Sequence, residues 1–228
     1  MNIVITGGSG FVGSYLCEKL IKDGHKIVVI DNLLTGSTEN INDLMANENF
    51  SFIEHDVQDH IEIENKVDYV LHFASAASPK AYTEHPVNTL KAGSVGTINT
   101  LGLAKKHDAE YLLASTSEVY GDPLISPQTE EYWGNVNPNG ERSMYDEAKR
   151  FAEAAVATYS RSYDLKTKIV RIFNTYGPRM QLNDGRVVTN FIVQALKNEN
   201  ITIYGDGSQT RSFSYVEDTV AGIISLMN

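Results

Sequence analysis

Tyr145 and Lys149 stand four residues apart, a spacing that puts both side chains on one face of a helix. A tyrosine has a pKa of about 10 and is a poor base at neutral pH, but a nearby ammonium group stabilises its phenolate and lowers that pKa. Such a tyrosine can take a proton from a substrate hydroxyl while a hydride leaves the same carbon. Ser115 and Thr116 follow a predicted strand and offer hydroxyl groups to the same proton path. The same Tyr-Lys spacing also occurs on exposed helices that carry out no chemistry.

The position of this pair along its helix is indicated by Ser143 and Asp146, whose spacing resembles a capping box. A capping box marks a helix N-terminus, so we expect Tyr145 and Lys149 in the first turns.

Three glycines, Gly7, Gly10 and Gly13, follow the first predicted strand and open the first predicted helix. Glycine permits the tight turn and lets a pyrophosphate approach the backbone, while the helix N-terminus offers free N–H groups. Phe11 and Val12 lie between the last two glycines and share this loop. The alternative is a strand-helix turn in which the glycines have no ligand.

Asp31 ends the second predicted strand, 18 residues after Gly13. An acid at this place accepts hydrogen bonds from the ribose of a dinucleotide. Its carboxylate would repel a 2′-phosphate, so the sequence predicts NAD rather than NADP as the cofactor.

Two further strand ends supply candidates for the same cofactor. Asp56 ends the third predicted strand and is expected to meet the adenine, or else to cap a helix. Phe73, Ala74 and Ser75 follow the fourth predicted strand, where small residues allow a ligand close to the backbone. The alternative for these small residues is tight packing of a helix on the sheet.

Short apolar runs alternate with amphipathic stretches along the chain, which predicts a parallel sheet with helical crossovers. The predicted strands are residues 2–6, 26–31, 51–56, 69–74, 111–115 and 168–173, and the predicted helices are residues 11–23, 87–107 and 143–163. We therefore predict a Rossmann-type, doubly wound α/β fold, with an NAD-binding domain over residues 1–178. Residues 121–142 hold three of the six prolines and are predicted to form a long ordered loop.

The pattern changes near Arg179, and residues 179–228 are predicted to form a small, partial substrate-binding lobe. Its expected elements are helices over residues 187–197 and 217–227 and short strands over residues 201–204 and 212–216.

Composition excludes several classes of function. The 228 residues carry a net charge of −10, which disfavours a nucleic-acid or anionic-membrane partner. The single cysteine, Cys17, excludes a disulfide scaffold, and no apolar run approaches the length that spans a bilayer. Residues 1–5 are typical of a buried strand rather than a signal peptide, so we expect a cytoplasmic protein. The histidines show no metal-ligand spacing, and no metal is predicted.

The glycine loop, Asp31, Ser115-Thr116 and the Tyr145/Lys149 pair together resemble the extended short-chain dehydrogenase/reductase family that acts on nucleotide sugars. Within that family, the chain is most similar to the UDP-glucuronate decarboxylases. The matching segments span the whole chain and comprise residues 31–36, 113–123, 132–138, 145–147, 171–180, 183–188 and 207–211.

The resemblance implies NAD-dependent conversion of UDP-glucuronate to UDP-xylose through a UDP-4-keto intermediate. Tyr145 would deprotonate the C4 hydroxyl with Lys149 and Thr116 beside it. The C4 ketone would then let the C6 carboxylate leave as carbon dioxide. Ser117 replaces the first carboxylate of the Asp-Glu pair found in 4,6-dehydratases, and Glu118 retains the second. Ser117 would bind the substrate carboxylate, and Glu118 would manage a proton near C5 or hold a nearby hydroxyl or amide.

The resemblance also implies the remaining site residues and the assembly. Asn32, Thr35, Gly36, Val57, Thr175 and Arg186 would join the cofactor site. Lys91, Asn99, Tyr159, Asn174, Asn190 and Arg211 would bind the UDP-sugar. A homodimer is implied through helices over residues 90–107 and 143–163. Relatives continue beyond the last predicted helix, so we expect the substrate lobe to be incomplete here.

Two alternatives stay open at this point. One is another nucleotide-sugar enzyme of the same fold, a 4-epimerase or a 4,6-dehydratase. Ser117 argues against the dehydratase, and Glu118 with residues 132–138 argues against the epimerase. The other alternative is an NAD-binding fragment without turnover, against which the intact Tyr145, Lys149, Thr116 and Glu118 argue.

Overall fold

The computed structural model describes all 228 residues, which are organised around one parallel sheet of six strands. The strands are β1 Asn2–Thr6, β2 Lys26–Asp31, β3 Phe50–Glu54, β4 Tyr69–His72, β5 Glu110–Thr116 and β6 Thr167–Ile172. Their order is β3-β2-β1-β4-β5-β6, so the order in which successive strands are added reverses between β1 and β4. A crevice opens at the carboxyl ends of the strands at such a reversal. The predicted doubly wound Rossmann-type fold is confirmed.

Seven α-helices accompany the sheet. They are α1 Phe11–Lys22, α2 Pro79–Glu84, α3 Pro86–Lys91, α4 Thr97–His107, α5 Ser143–Tyr163, α6 Val187–Leu196 and α7 Val216–Met227. A π-helical turn over Ala92–Gly96 joins α3 to α4, so the predicted helix over residues 87–107 is interrupted in the middle. Short 3₁₀ helices span Thr38–Leu44 and Ser117–Tyr120. None of the helices is long and apolar enough to cross a membrane.

Both faces of the sheet are buried, which is why its strands are nearly continuous apolar runs. Ile3 and Ile5 of β1 point to one face, where α1 and α7 cover them, and Val4 points to the other face. The second face packs against α4 and α5 through residues such as Leu101 and Val156. The two layers hold the strand ends, and therefore the crevice, in place.

Three details differ from the sequence predictions. Residues 201–204 form no strand, whereas Asn174–Tyr176 and Phe213–Tyr215 form β7 and β8 of a small parallel sheet. Helix α7 lies within the predicted substrate lobe, yet Val216 and Val220 belong to the buried cluster around β1. The packing of the main domain thus continues past residue 178.

The predicted capping box at α5 is wrong. Ser143 is already the first helical residue, and Arg142 occupies the N-cap position without any side-chain cap hydrogen bond. A capping box needs its serine one position earlier. Tyr145 and Lys149 nevertheless lie in the first two turns of α5, as the sequence predicts.

Candidate active site

A cavity of about 510 Å³ opens at the carboxyl ends of the strands. Its lining contains every residue predicted to bind the cofactor. These residues are Gly7, Gly10, Phe11, Val12, Gly13, Asp31, Asn32, Thr35, Gly36, Asp56, Val57, Phe73, Ala74, Ser75, Tyr145, Lys149, Thr175 and Arg186. They come from separate turns of the chain, and the parallel strands bring them to one edge of the sheet.

The glycine loop is packed so closely that side chains would not fit. Gly7 has a φ of +74°, and a Cβ there would lie 2.7 Å from the Ala74 nitrogen. A Cβ at Gly13 would lie 2.2 Å from the Gly7 carbonyl oxygen. Helix α1 starts after Gly10 with no side-chain cap and no acid in its first turn. Its N–H groups are therefore available to a phosphate at the cavity edge.

Asp31 is buried at the end of β2 and held by two backbone groups. Its Oδ2 accepts the Ser9 N–H at 3.0 Å, and its Oδ1 accepts the Leu33 N–H at 2.9 Å. Burial raises the pKa of Asp31, and the two hydrogen bonds oppose that rise. Lone pairs remain on both oxygens for ribose hydroxyls, because a carboxylate accepts about four hydrogen bonds.

Asp56 follows β3 and lines the cavity without capping a helix. Its Oδ2 accepts the Asn32 amide at 2.9 Å, and its Oδ1 accepts the Gln58 N–H at 2.9 Å. No helix follows it, so the N-cap alternative does not apply. These bonds join the ends of β2 and β3 beside the cavity.

A segment that begins at Arg179 lines the cavity beside the glycine loop and contains contacts that the sequence did not predict. Arg179 donates to the Ser14 hydroxyl at 3.1 Å, pairs with Glu18 and lies over the Tyr15 ring, 4.5 Å from its centroid. Gln181 donates to the Thr35 carbonyl oxygen at 2.9 Å. Residues 179–186 are thereby tied to both α1 and the loop after β2. We call this segment the strap.

Arg186, predicted to lie near the cofactor, closes the strap at the start of α6. Its Nε donates to Asp184 at 2.7 Å, and the Thr189 hydroxyl donates to the other Asp184 oxygen at 2.6 Å. Asp184 is buried, so these two donors compensate its charge.

Tyr145 and Lys149 both line the cavity, and Thr116 ends the neighbouring strand. The Thr116 hydroxyl opposes the rise in the pKa of the Tyr145 phenol, and Lys149 Nζ lies 6.0 Å from the centre of the Tyr145 ring. Lys149 Nζ also donates to the Ala114 carbonyl oxygen at 2.8 Å. Burial raises the pKa of Tyr145 to about 12 and lowers the pKa of Lys149 to about 8. Without a further cation, the phenol stays protonated at neutral pH.

The Ser115 hydroxyl is held by an acidic side chain of the helix that carries Tyr145. Its Oγ donates to Glu153 Oε1 at 2.5 Å. Arg171 also binds Glu153, through Nε at 2.9 Å and Nη2 at 2.7 Å. Ser115 lines the cavity together with Tyr145 and Lys149, and its place on the proton path stays a prediction.

Ser117 and Glu118 open the 3₁₀ turn directly after Thr116. The Glu118 N–H donates to the Thr116 hydroxyl at 3.3 Å, which fixes the turn next to the Tyr145 contact. The Glu118 carboxylate forms an ion pair with Arg142 at the N-terminus of α5. Sequence reasoning missed Arg142, because a 24-residue separation hides the pair.

The six predicted substrate residues lie outside the cavity lining. The Asn99 amide is used by the backbone, because it donates to the carbonyl oxygens of residues 57, 58 and 59 at 2.9–3.0 Å. Tyr159 packs edge-on against Tyr163, with ring centres 5.2 Å apart. These contacts give Asn99 and Tyr159 structural roles in this chain.

The other four substrate candidates lie at scattered positions. Asn174 donates to the Ser212 carbonyl oxygen at 3.1 Å, and exposed Arg211 donates to its neighbour Thr210 at 2.7 Å. Lys91 ends α3, and Asn190 lies in the first turn of α6. None of these four residues lines the cavity, and their substrate roles stay predictions.

The comparisons with known proteins agree with this geometry. The sequence model of the NAD dependent epimerase/dehydratase family matches residues 3–228. The chain belongs to this family. The predicted family and its NAD cofactor are thereby confirmed.

Within the NAD dependent epimerase/dehydratase family, the chain is similar to UDP-glucuronic acid decarboxylases. The chain is 54% identical to UDP-glucuronic acid decarboxylase 1 of Xenopus tropicalis over 99% of its length and 53% of that protein. It is 55% identical to UDP-glucuronic acid decarboxylase 1 of Arabidopsis thaliana, over 100% of its length and 52% of that protein. The chain thus spans about half the length of the curated relatives it matches.

Among solved structures, the UDP-glucose 4-epimerase of Thermotoga maritima, crystallised with UDP-glucose, superimposes with a TM-score of 0.89 and 31% identity. The match covers 100% of this chain and 74% of the epimerase. The cavity fits NAD on its own terms, since the uncapped N–H groups of α1 are available to a pyrophosphate and Asp31 is placed for a ribose.

Proposed function

We propose that this chain carries out the NAD-dependent decarboxylation of UDP-glucuronate to UDP-xylose. The observation that carries the proposal is the Tyr145–Thr116–Lys149 cluster at the inner end of an NAD-sized cleft. It occurs in a chain that is 54% identical to a UDP-glucuronic acid decarboxylase. Ser117 and Glu118 follow the cluster directly and supply the groups that distinguish this reaction from dehydration.

Tyr145 is the base of the first step and removes the proton of the C4 hydroxyl. Bound NAD supplies a hydride acceptor for C4 and later returns the hydride. The Thr116 hydroxyl orients the phenol, and the buried Lys149 ammonium favours its phenolate electrostatically. Because burial alone raises the pKa of Tyr145, the base works only when positive charge is present beside it.

Decarboxylation follows from the position of the resulting ketone. A C4 ketone is β to the C6 carboxylate, so the C5–C6 bond breaks and its electron pair enters an enolate over C4 and C5. Carbon dioxide leaves, and C5 then takes a proton. Glu118 is placed to manage this proton, directly or through water. A serine at position 117 is a poor acid for expelling a C6 hydroxyl, which disfavours the dehydratase reaction.

The decisive experiment incubates the purified chain with UDP-glucuronate and NAD and follows products by proton NMR. Formation of UDP-xylose without net NADH is expected. Accumulation of UDP-4-keto-pentose with NADH would mean that the first half-reaction works and the returning hydride fails. UDP-galacturonate would identify a 4-epimerase, and retained NAD without any product would identify an NAD-binding fragment.

We also propose that the chain assembles as a homodimer through α3, α4 and α5. Val87, Leu90, Ile98 and Phe151 on these helices are exposed apolar side chains, which a second copy would cover. Sedimentation velocity should give a dimer, and Phe151→Glu should give a monomer. A monomeric wild-type chain at micromolar concentration would contradict this assembly. The cytoplasmic location stays a prediction.

A further inference from the structure

Arg142 lies at the N-cap of α5 with its guanidinium group between two carboxylates. It pairs with Glu118, and its Nη2 lies 3.7 Å from Asp146 Oδ1. Its guanidinium carbon lies 5.8 Å from the centre of the Tyr82 ring. Half of the Arg142 side chain remains exposed, so it can change partners.

The cluster around Arg142 lies beside Tyr145, which lines the cavity. Tyr82 stacks on Tyr145, with ring centres 5.1 Å apart and planes inclined by 14°. The Glu118 N–H donates to the Thr116 hydroxyl at 3.3 Å, in the turn that follows β5. Arg142 is therefore one aromatic ring away from the proposed base and in direct contact with the proposed C5 residue.

Other arginines close to this end already have buried or backbone partners. Arg171 binds Glu153 through two nitrogens, and Arg150 donates to the carbonyl oxygens of Val119 and Trp133 at 2.9 and 2.8 Å. The buried Lys149 ammonium points to the Ala114 carbonyl oxygen. Arg186 lines the cavity near Tyr145, but its Nε is held by the buried Asp184 carboxylate. Arg142, with half of its side chain exposed, is the cation that pairs with Glu118.

The cluster sets the Arg142 guanidinium group against two carboxylates, those of Glu118 and Asp146. A third carboxylate can therefore pair with Arg142 only by displacing one of them. A substrate carboxylate at C6 lies two bonds from C4, the carbon served by Tyr145. In a chain with a net charge of −10, that carboxylate requires a local cation.

We propose that Arg142 is the specificity-determining residue that binds the sugar carboxylate; this inference rests on the proposed function. A guanidinium group binds a carboxylate through two parallel N–H···O bonds, a geometry that lysine cannot reproduce. In the ligand-free chain the Glu118 carboxylate pairs with the Arg142 guanidinium group. Substrate binding transfers Arg142 from Glu118 to the sugar carboxylate and leaves the Glu118 carboxylate facing C5.

Calorimetric titration of the whole chain loaded with NAD tests the proposal. Three ligands are compared: UDP-glucuronate, UDP-glucose, which carries a hydroxymethyl group in place of the carboxylate, and UDP. The wild type should bind UDP-glucuronate more tightly than UDP-glucose. Arg142→Gln should weaken UDP-glucuronate binding about 10- to 100-fold, as expected for hydrogen bonds between charged groups, and leave UDP-glucose and UDP within about twofold.

Two variants accompany this titration. Arg142→Lys keeps the charge without the fork, so it should lose part of the preference for UDP-glucuronate even if Arg142→Gln folds poorly. Arg161→Gln removes the same charge from an exposed position on the same helix and should change nothing. NAD affinity of each variant reports whether the fold is intact.

Each outcome decides a separate point. If the wild type prefers UDP-glucuronate and both Arg142 variants keep that preference, the role of Arg142 is overturned while the proposed substrate stands. Equal losses for all three ligands would make Arg142 a structural residue and also overturn its role. A wild type without any preference would count against both the inference and the proposed substrate, and the NMR assay would show independently whether decarboxylation occurs.

Discussion

Residues 1–36 and residues 187–213 differ in how they bury their apolar side chains. In the first region Ile5 and Leu16 are completely buried, and the glycine loop between them touches the end of β4. In the second region Leu196 is 83% exposed and Ile203 is 63% exposed. All predicted cofactor residues converge on the cavity, whereas the predicted substrate residues after residue 186 do not. The residues on the cofactor side are therefore packed into the core, whereas residues 187–213 leave several large apolar side chains exposed.

Tyr145→Phe should have the largest effect, because it removes the phenol oxygen of the proposed base. Loss of the base should lower kcat by about 10²- to 10⁴-fold, because general base catalysis contributes that much. The Tyr82 stack remains, so NAD affinity and thermal stability should stay near the wild-type values. Turnover would be measured by NMR and NAD binding by calorimetry. A variant with more than a tenth of wild-type turnover would exclude Tyr145 as the base.

Lys149→Met should abolish turnover yet stabilise the ligand-free chain. Burial lowers the pKa of Lys149 from 10.5 in the unfolded chain to about 8 in the folded chain, so folding opposes its protonation. The free energy of unfolding is lowered by the full amount below pH 8, and this loss disappears as the pH rises past 10.5. At 1.36 kcal/mol per pKa unit it amounts to roughly 3 kcal/mol at neutral pH.

Urea unfolding of both proteins between pH 7 and 10 measures this difference. The gain in the free energy of unfolding should shrink steadily as the pH rises above 8. A variant less stable than the wild type at pH 7 would show that Lys149 contributes more by packing than its charge costs.

Gly13→Ala should weaken NAD binding without changing the residues that are predicted to bind the sugar. The added Cβ would lie 2.2 Å from the Gly7 carbonyl oxygen, so the loop must shift away from the pyrophosphate position. We expect NAD affinity to fall about 10-fold or more, since a loop shift removes several backbone hydrogen bonds. Gly222→Ala is the matched control, because no atom lies within 4 Å of its added Cβ. Equal NAD affinity in the two variants would contradict this assignment of the loop.

The smallest expected effects compare the stability contribution of the buried cluster around β1 with that of the exposed end of α6. Val220→Ala in α7 removes methyl groups from the buried cluster around β1 and should cost about 1–2 kcal/mol of unfolding free energy. Leu196→Ala at the end of α6 changes an exposed side chain and should stay within about 0.5 kcal/mol. Similar losses in both variants, measured by thermal unfolding, would mean that Leu196 is covered in solution.

Much of the cofactor site could be predicted because its signals are local. Gly7, Gly10 and Gly13 lie in one loop, Asp31 ends the next strand, and Tyr145 and Lys149 share one helix face. Two polar side chains have partners that these local signals do not predict. Ser115 was predicted to share the proton path with Thr116, and its hydroxyl donates to Glu153, a contact that the sequence did not predict. Asn99 was predicted to bind substrate, yet three backbone carbonyl oxygens occupy its amide.

The sequence by itself determined the order of strands and helices, the phosphate-binding loop, the acid at the end of β2 and the Tyr-Lys pair. Each of these follows from residues that are close in the chain, where spacing translates directly into geometry. Only the tertiary structure decided that Arg179 and Gln181 tie the strap to α1 and to Thr35, and that Arg142 meets Glu118. Such contacts join residues far apart in the chain, and side-chain charge alone does not determine which partner a cation reaches.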